Sequence, residues 1–362
     1  MTNRQMVFIL FMTLTSYSTI DLPKMMAQSA GRSSWIPIII ASALFGIVAI
    51  IIVKLNNMFL GKVFFDYGRE VIGKFFTYVI AVYYILYYLI LSVYLKSKMV
   101  DVISANFLPK TPKFILIVLG MALFAMVAYK GITNIARMFE IFGISLLIIT
   151  LTICIIMVAE GDKYNVLPLL NPSEIKKYTK TIKDLFFPFG GLEVLLIIPF
   201  TAANKKAPAT AFFSLLFIGF FYVLIVESTI MILGINNTIL LKDSFIEAFK
   251  IAQAPVIERL DIFYLTFGLT SLFSGMIIVT SVVTEYACRI FSKVKRIYIV
   301  SGVFIVFAIL GLTTMNMKDI EKTVESYVPY LVSVATVLIP VLVFILAKIK
   351  KRSKLSPVKR EE

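Results

Sequence analysis

The chain has 362 residues, of which 59% are hydrophobic and only 16% charged, with mean hydropathy +0.92. Soluble domains carry about 25% charged residues, so the composition excludes an ordinary soluble protein and points to an integral membrane one. Histidine is absent, which leaves any proton handling to Asp or Glu, and the net charge of +15 is a membrane-orientation signal, with no nucleic-acid partner expected.

The first apolar segment, 6–26, breaks at Ser16-Tyr17-Ser18-Thr19-Ile20-Asp21-Leu22-Pro23. Pro23 removes a backbone donor and clashes with the preceding turn. The hydroxyls of Thr13, Thr15, Ser16, Ser18 and Thr19 either re-bond the freed groups or hold a ligand, and tight helix packing is the competing use. The second segment, 36–53, is clean. The connection 56–74, with Gly61, Gly68 and Gly73, reads as an interfacial piece on the cytoplasmic side. In the third segment, 75–95, Tyr83 and Tyr87 share one helical face and Tyr84 and Tyr88 another. Their hydroxyls need partners, so one pair is expected to face the bundle interior as core. The fourth segment, 114–129, is short for a bilayer, and the fifth, 141–159, carries Cys154.

The loop 160–183 holds Pro168 and Pro172, followed by Ser173-x-x-Lys-Lys-x-x-Lys, which predicts a short surface helix. The sixth segment, 185–203, breaks at Phe187-Pro188-Phe189-Gly190-Gly191-Leu192-Glu193. Proline and two glycines within four residues exclude a regular helix, and the glycines predict torsions or close approaches that a side chain would block. The N-terminus of a half-helix suits a ligand carboxylate. Glu193 is then an intramembrane acid, either functional or bonded to amides of its own unwound stretch. The seventh segment, 207–226, leads to Glu227 and to Gly234, read as an ordinary helical glycine that accepts Ala. At 240–254, helical spacing of Phe245, Ile246 and Phe249 against charges predicts an amphipathic connector in the outer interface.

The eighth segment, 262–284, opens on Glu258-Arg259-Leu260-Asp261. Glu258 and Asp261 share a face and complement the helix dipole, so a structural cap with an ion pair to Arg259 is expected. Further along, Thr270, Ser271, Ser274 and Gly275 form a small polar strip that packs closely or touches a ligand. Glu285 and Cys288 follow it. Segments 297–317 and 326–347 precede a basic tail, 348–362, expected against anionic headgroups. Clustered Lys and Arg after the eighth segment and in this tail place both termini in the cytoplasm. The ten segments divide five and five around the loop, as 1–159, 160–183 and 184–347. A second five-helix unit must enter the membrane inverted, and each half opens on its broken segment.

Asp21-Leu22-Pro23, Pro188-Phe-Gly-Gly-Leu-Glu193 with Pro199, Lys205-Lys206 and Ile257-Glu-Arg-Leu-Asp261 together resemble the endospore germination permeases. These are the B subunits of nutrient germinant receptors. The resemblance implies an all-α fold of ten transmembrane helices in a LeuT-like five-plus-five inverted repeat with discontinuous helices 1 and 6. It also implies A-type and C-type partner subunits, the spore inner membrane, and a small nutrient ligand such as an amino acid. By position the ligand would meet Ser16, Tyr17, Ser18, Thr19, Phe189, Gly190, Gly191, Ser274 and Gly275, with Asp21 and Glu193 in coupling or gating roles. Superfamily transporters commonly carry glycines at the first break, where this chain has Ser-Tyr-Ser-Thr, so the ligand is not assumed to be alanine. The alternative is a secondary transporter of amino acids or similar solutes, coupled to protons through Glu193 or Asp21. An intramembrane enzyme fits poorly, with no nucleophile motif or metal-ligand spacing, and no metal or cofactor is expected.

Overall fold

A computed structural model of the chain describes residues 2–168, 175–200, 204–252, 260–317 and 320–354. Among these the architecture is helical throughout. The N-terminal half consists of α1 (Asn3–Ser18), α2 (Leu22–Ser29), α3 (Trp35–Met58), α4 (Phe64–Val71), α5 (Lys74–Asn106), α6 (Lys113–Tyr129) and α7 (Ile132–Glu160). The C-terminal half consists of α8 (Ile175–Asp184), α9 (Ala207–Leu240), α10 (Ser244–Ile251), α11 (Leu260–Ile290), α12 (Arg296–Thr313), α13 (Ile320–Val332) and α14 (Ile339–Lys354).

Among the described residues, seven helices are long and apolar enough to cross a membrane, and the bent pair α1–α2 makes an eighth if it forms one span. The two halves of that pair meet at 68°, with Pro23 at the start of α2. Among its described residues, 185–200, the sixth apolar segment forms no α-helix. Turns run through 185–191, and Leu192–Ile197 winds as a 3-10 helix after Gly191 at φ +103°. Helix α6 has only 17 residues, as its short apolar run implied. The last span is also irregular: a π-helical turn, Ser333–Leu338, joins α13 to α14.

Lipid cannot satisfy the carbonyls that the sixth segment frees, so the protein must. Tyr222 donates to Pro188 O at 3.0 Å, and Asn56 Nδ2 donates to Leu195 O at 2.7 Å. The amide of Gly61 donates to Phe200 O at 2.8 Å. The unwound stretch therefore runs through the centre of the fold, where Leu192, Val194, Leu195 and Leu196 are fully buried. Around it α3 packs on α9, α5 on α11, and α1 on both α7 and α11.

Three connectors match their sequence patterns. Helices α4, α8 and α10 occupy the interfacial segment, the loop and the amphipathic connector. Phe245, Ile246 and Phe249 are the buried face of α10. Gly234 departs from expectation: it has φ +71° and kinks α9, a torsion that an L side chain rarely adopts. It is therefore not a site that accepts Ala freely. Glu258 and Arg259 lie outside the described residues, as do the side chains of Asp261 and Ser18.

Candidate functional site

The first interruption opens into a cleft lined by Ser16, Tyr17, Thr19, Asp21, Tyr94 and Lys98, and closed by Gly268, Ser271 and Leu272 of α11. Its internal volume is about 10 Å³, room for one water and no more. The hydroxyls on α1 turn back on their own helix. Thr15 donates to Phe11 O at 2.7 Å, Ser16 to Thr13 O at 2.6 Å, and Thr19 to Thr15 O. These hydroxyls are thus engaged within α1 itself.

Charge enters this cleft as a pair. Lys98 Nζ lies 3.0 Å from Asp21 Oδ1, and Tyr94 donates its hydroxyl to Asp21 Oδ2. The side chains of Lys98 and Asp21 are 8% and 23% exposed, so the pair sits at the rim of the interior and not in bulk solvent. Asp243, just before α10, is near enough to feel both. Burial raises its carboxyl above the usual range, Asp21 raises it further, and Lys98 opposes this. Sequence reading missed Lys98, because the charges after Leu95 looked like the end of the third span. In the structure α5 continues to Asn106. Lys96 is also buried, donating to Thr314 Oγ1 at 3.0 Å near the end of α12.

At the second interruption, Glu193 is 2% exposed and accepts three hydrogen bonds. Tyr88 donates to Oε1 at 3.0 Å, Thr336 to Oε2 at 2.6 Å, and the Gly191 amide to Oε2 at 3.1 Å. The carboxylate thus occupies the Gly191 amide that the break exposes. Tyr17 and Tyr87, both buried, adjoin the same cluster. Tyr88 belonged to a tyrosine pair read as core. Thr336 carried no signal, being one hydroxyl in an apolar span.

The two interruptions touch. Gly191 backs onto α1 so closely that a Cβ there would stand 2.7 Å from Thr13 Cγ2 and 3.0 Å from Tyr17 Cε2. The Tyr17 ring lies parallel to Phe187, with centroids 6.5 Å apart. Ser16, Tyr17, Thr19 and Asp21 therefore share one cleft, with Glu193 behind Tyr17. The other candidates are placed differently. Phe189 stacks on Phe45 at 5.3 Å, and Gly190 abuts Val332. Ser274 donates to Met12 O at 2.9 Å, and a Cβ on Gly275 would meet Ser16 Oγ at 2.6 Å. These two residues let α11 cross α1 at close range, while Ser271, one turn earlier, reaches the cleft and donates to Thr15 O at 3.0 Å.

Comparison with known proteins identifies a family. Residues 1–320 match the family described as spore germination protein, a spore permease family. Spore germination protein YndE of Bacillus subtilis (strain 168) is 23% identical, over 98% of this chain and 98% of its own. Spore germination protein GerLB of Bacillus cereus is 24% identical, over 97% of this chain and 95% of its own. Spore germination protein B2 of Bacillus subtilis (strain 168) is 24% identical over 41% of this chain.

Proposed function

Because this chain belongs to the spore germination protein family, we propose that it is the ligand-binding membrane subunit of a nutrient germinant receptor, sensing an amino acid or similar small nutrient. The observation that carries this reading is the Lys98–Asp21 pair in the wall of the cleft at the first interruption. A zwitterion presents the complementary charges, its carboxylate to Lys98 and its ammonium to Asp21. A cleft of about 10 Å³ admits such a ligand only when α1–α2 moves relative to α11. Binding then biases the balance between the two arrangements, and A-type and C-type partner subunits read that bias.

In this reading the chain has ten spans in a LeuT-like inverted repeat, 1–159 and 184–347, joined by 160–183. Both termini, including the tail 348–362, face the cytoplasm across the spore inner membrane. Packing of α3 on α9 and of α5 on α11 supports the repeat, because these pair the second span with the seventh and the third with the eighth.

Spores lacking this subunit, tested against amino acids, sugars and nucleosides, should lose the response to at least one amino acid and regain it on complementation. Loss confined to sugars or nucleosides would overturn the zwitterion reading.

One observation favours a second reading, proton-coupled transport. The hydrogen-bond partners of Glu193 among the described residues are a tyrosine, a threonine and an amide, with no basic side chain among them. An acid so placed is suited to carry a proton. Uptake of labelled amino acid into proteoliposomes holding this chain alone distinguishes transport from sensing.

A further inference from the structure

A groove on the lipid-facing surface, between α6 and α12, belongs to neither interruption. It encloses about 380 Å³. The two helices run antiparallel. At one end they touch: a Cβ on Gly311 would stand 2.7 Å from Ile117 Cγ2. At the other end Arg296 of α12 reaches the last carbonyls of α6, and the groove lies between these two contacts. The floor of the opening is Ala122, Ala125 and Ser301, and Met126, Ile297 and Phe304 form its walls. Small side chains set among large apolar ones leave an apolar surface groove, the chemistry that suits a hydrocarbon chain.

The end of the groove at the start of α12 is basic. Lys130 lines the groove and is exposed, and Lys293 and Lys295 are exposed on the adjoining turn before α12. Arg296 is already engaged. It donates to Ala128 O at 2.9 Å and to Tyr129 O at 3.2 Å, and it pairs with Glu285 at 2.6 Å. No carboxylate pairs with Lys130, Lys293 or Lys295 among the described residues. Lys130 follows the last residue of α6, at the same end of the helix pair as the basic turn before α12.

We propose that this groove is a binding site for an anionic phospholipid, with an acyl chain in the slot and the phosphate against Lys130 and Lys295. Charge complementarity selects this occupant: a zwitterionic lipid brings a phosphate but no net charge, and an apolar helix of another protein brings neither, so both leave the positive charge at the groove's end uncompensated.

The test is native mass spectrometry of the full-length protein in neutral detergent, titrated with phosphatidylglycerol or phosphatidylcholine of identical chains. Phosphatidylglycerol should saturate a discrete site at lower concentration than phosphatidylcholine. Lys130→Gln should raise its half-saturation about fivefold, the effect of one basic residue at an anionic lipid surface. Ser301→Leu fills the floor without altering charge and should weaken both lipids. Both positions are exposed, so neither change threatens the fold. Lys113→Gln, at the opposite end of α6, should change nothing. Equal binding of the two lipids, or phosphatidylglycerol binding that either groove variant leaves unchanged, overturns the proposal.

Discussion

Thr336 donates its hydroxyl to the Glu193 carboxylate at 2.6 Å, tying the π-helical turn of the last span to the unwound sixth segment. A π turn inside a helix is uncommon and recurs at functional sites. Here it displaces the register so that a single threonine reaches the buried acid. Thr336→Val keeps the volume and deletes the donor, a loss of about 1–3 kcal/mol, or a factor of about five or more in an equilibrium. The nutrient concentration for half-maximal germination should shift by at least that factor at unchanged protein abundance, while Thr336→Ser stays near normal. An unshifted dose–response for the valine variant would separate this bond from signalling.

Glu193→Gln replaces an acceptor-only group with an amide, so one of Tyr88, Thr336 and the Gly191 N–H must face a donor. Germination should lose sensitivity much more than in Glu227→Gln, at matched levels on immunoblots. Equal, mild effects would make Glu193 a structural residue.

Gly191→Ala meets two obstacles, a φ of +103° and the Thr13 methyl at 2.7 Å. The torsion alone costs about 1–2 kcal/mol. The response should be impaired with membrane insertion retained, and adding Thr13→Ser should recover part of it by removing the methyl. Gly302→Ala, with open space around it and an ordinary helical torsion, should be silent. Gly234 does not serve as that control, because its own torsion is left-handed. Full activity of Gly191→Ala would show that this break does not shape the site.

The Lys98–Asp21 pair separates stability from recognition. Lys98→Met leaves a partly buried carboxylate without its cation and should lower protein abundance. Combining it with Asp21→Asn should restore abundance, since no charge is then stranded, but not the response to nutrient. A double variant that germinates normally would remove both residues from the ligand site.

Orientation is open to a direct check. In a background lacking Cys154 and Cys288, a cysteine at Ser353 should resist membrane-impermeant maleimide until the membrane is opened. Labelling from outside would invert the topology.

Much of this was legible because the relevant signals are local. Pro188, Gly190 and Gly191 announce an unwound segment wherever they fall in an apolar run, and alternation of Phe245 and Phe249 with charges announces α10. Partners brought from elsewhere in the chain leave no such trace. Lys96 and Lys98 marked a false end to the third span, since a lysine inside a helix is affordable only when Thr314 or Asp21 arrives to meet it. Thr336 and the kink at Gly234 escaped for the same reason: neither alters the hydropathy pattern around it.

Helix α5 has a mechanical consequence. It is one continuous helix of 33 residues, and it holds Glu193 through Tyr88 and Asp21 through Tyr94 and Lys98. Tyr88 and Lys98 are about 15 Å apart along its axis, with no proline or glycine between them. A rod of this stiffness does not let one grip slacken while the other stays fixed. One helix thus contacts both acids, so a displacement of α5 along or about its axis would be felt at both interruptions.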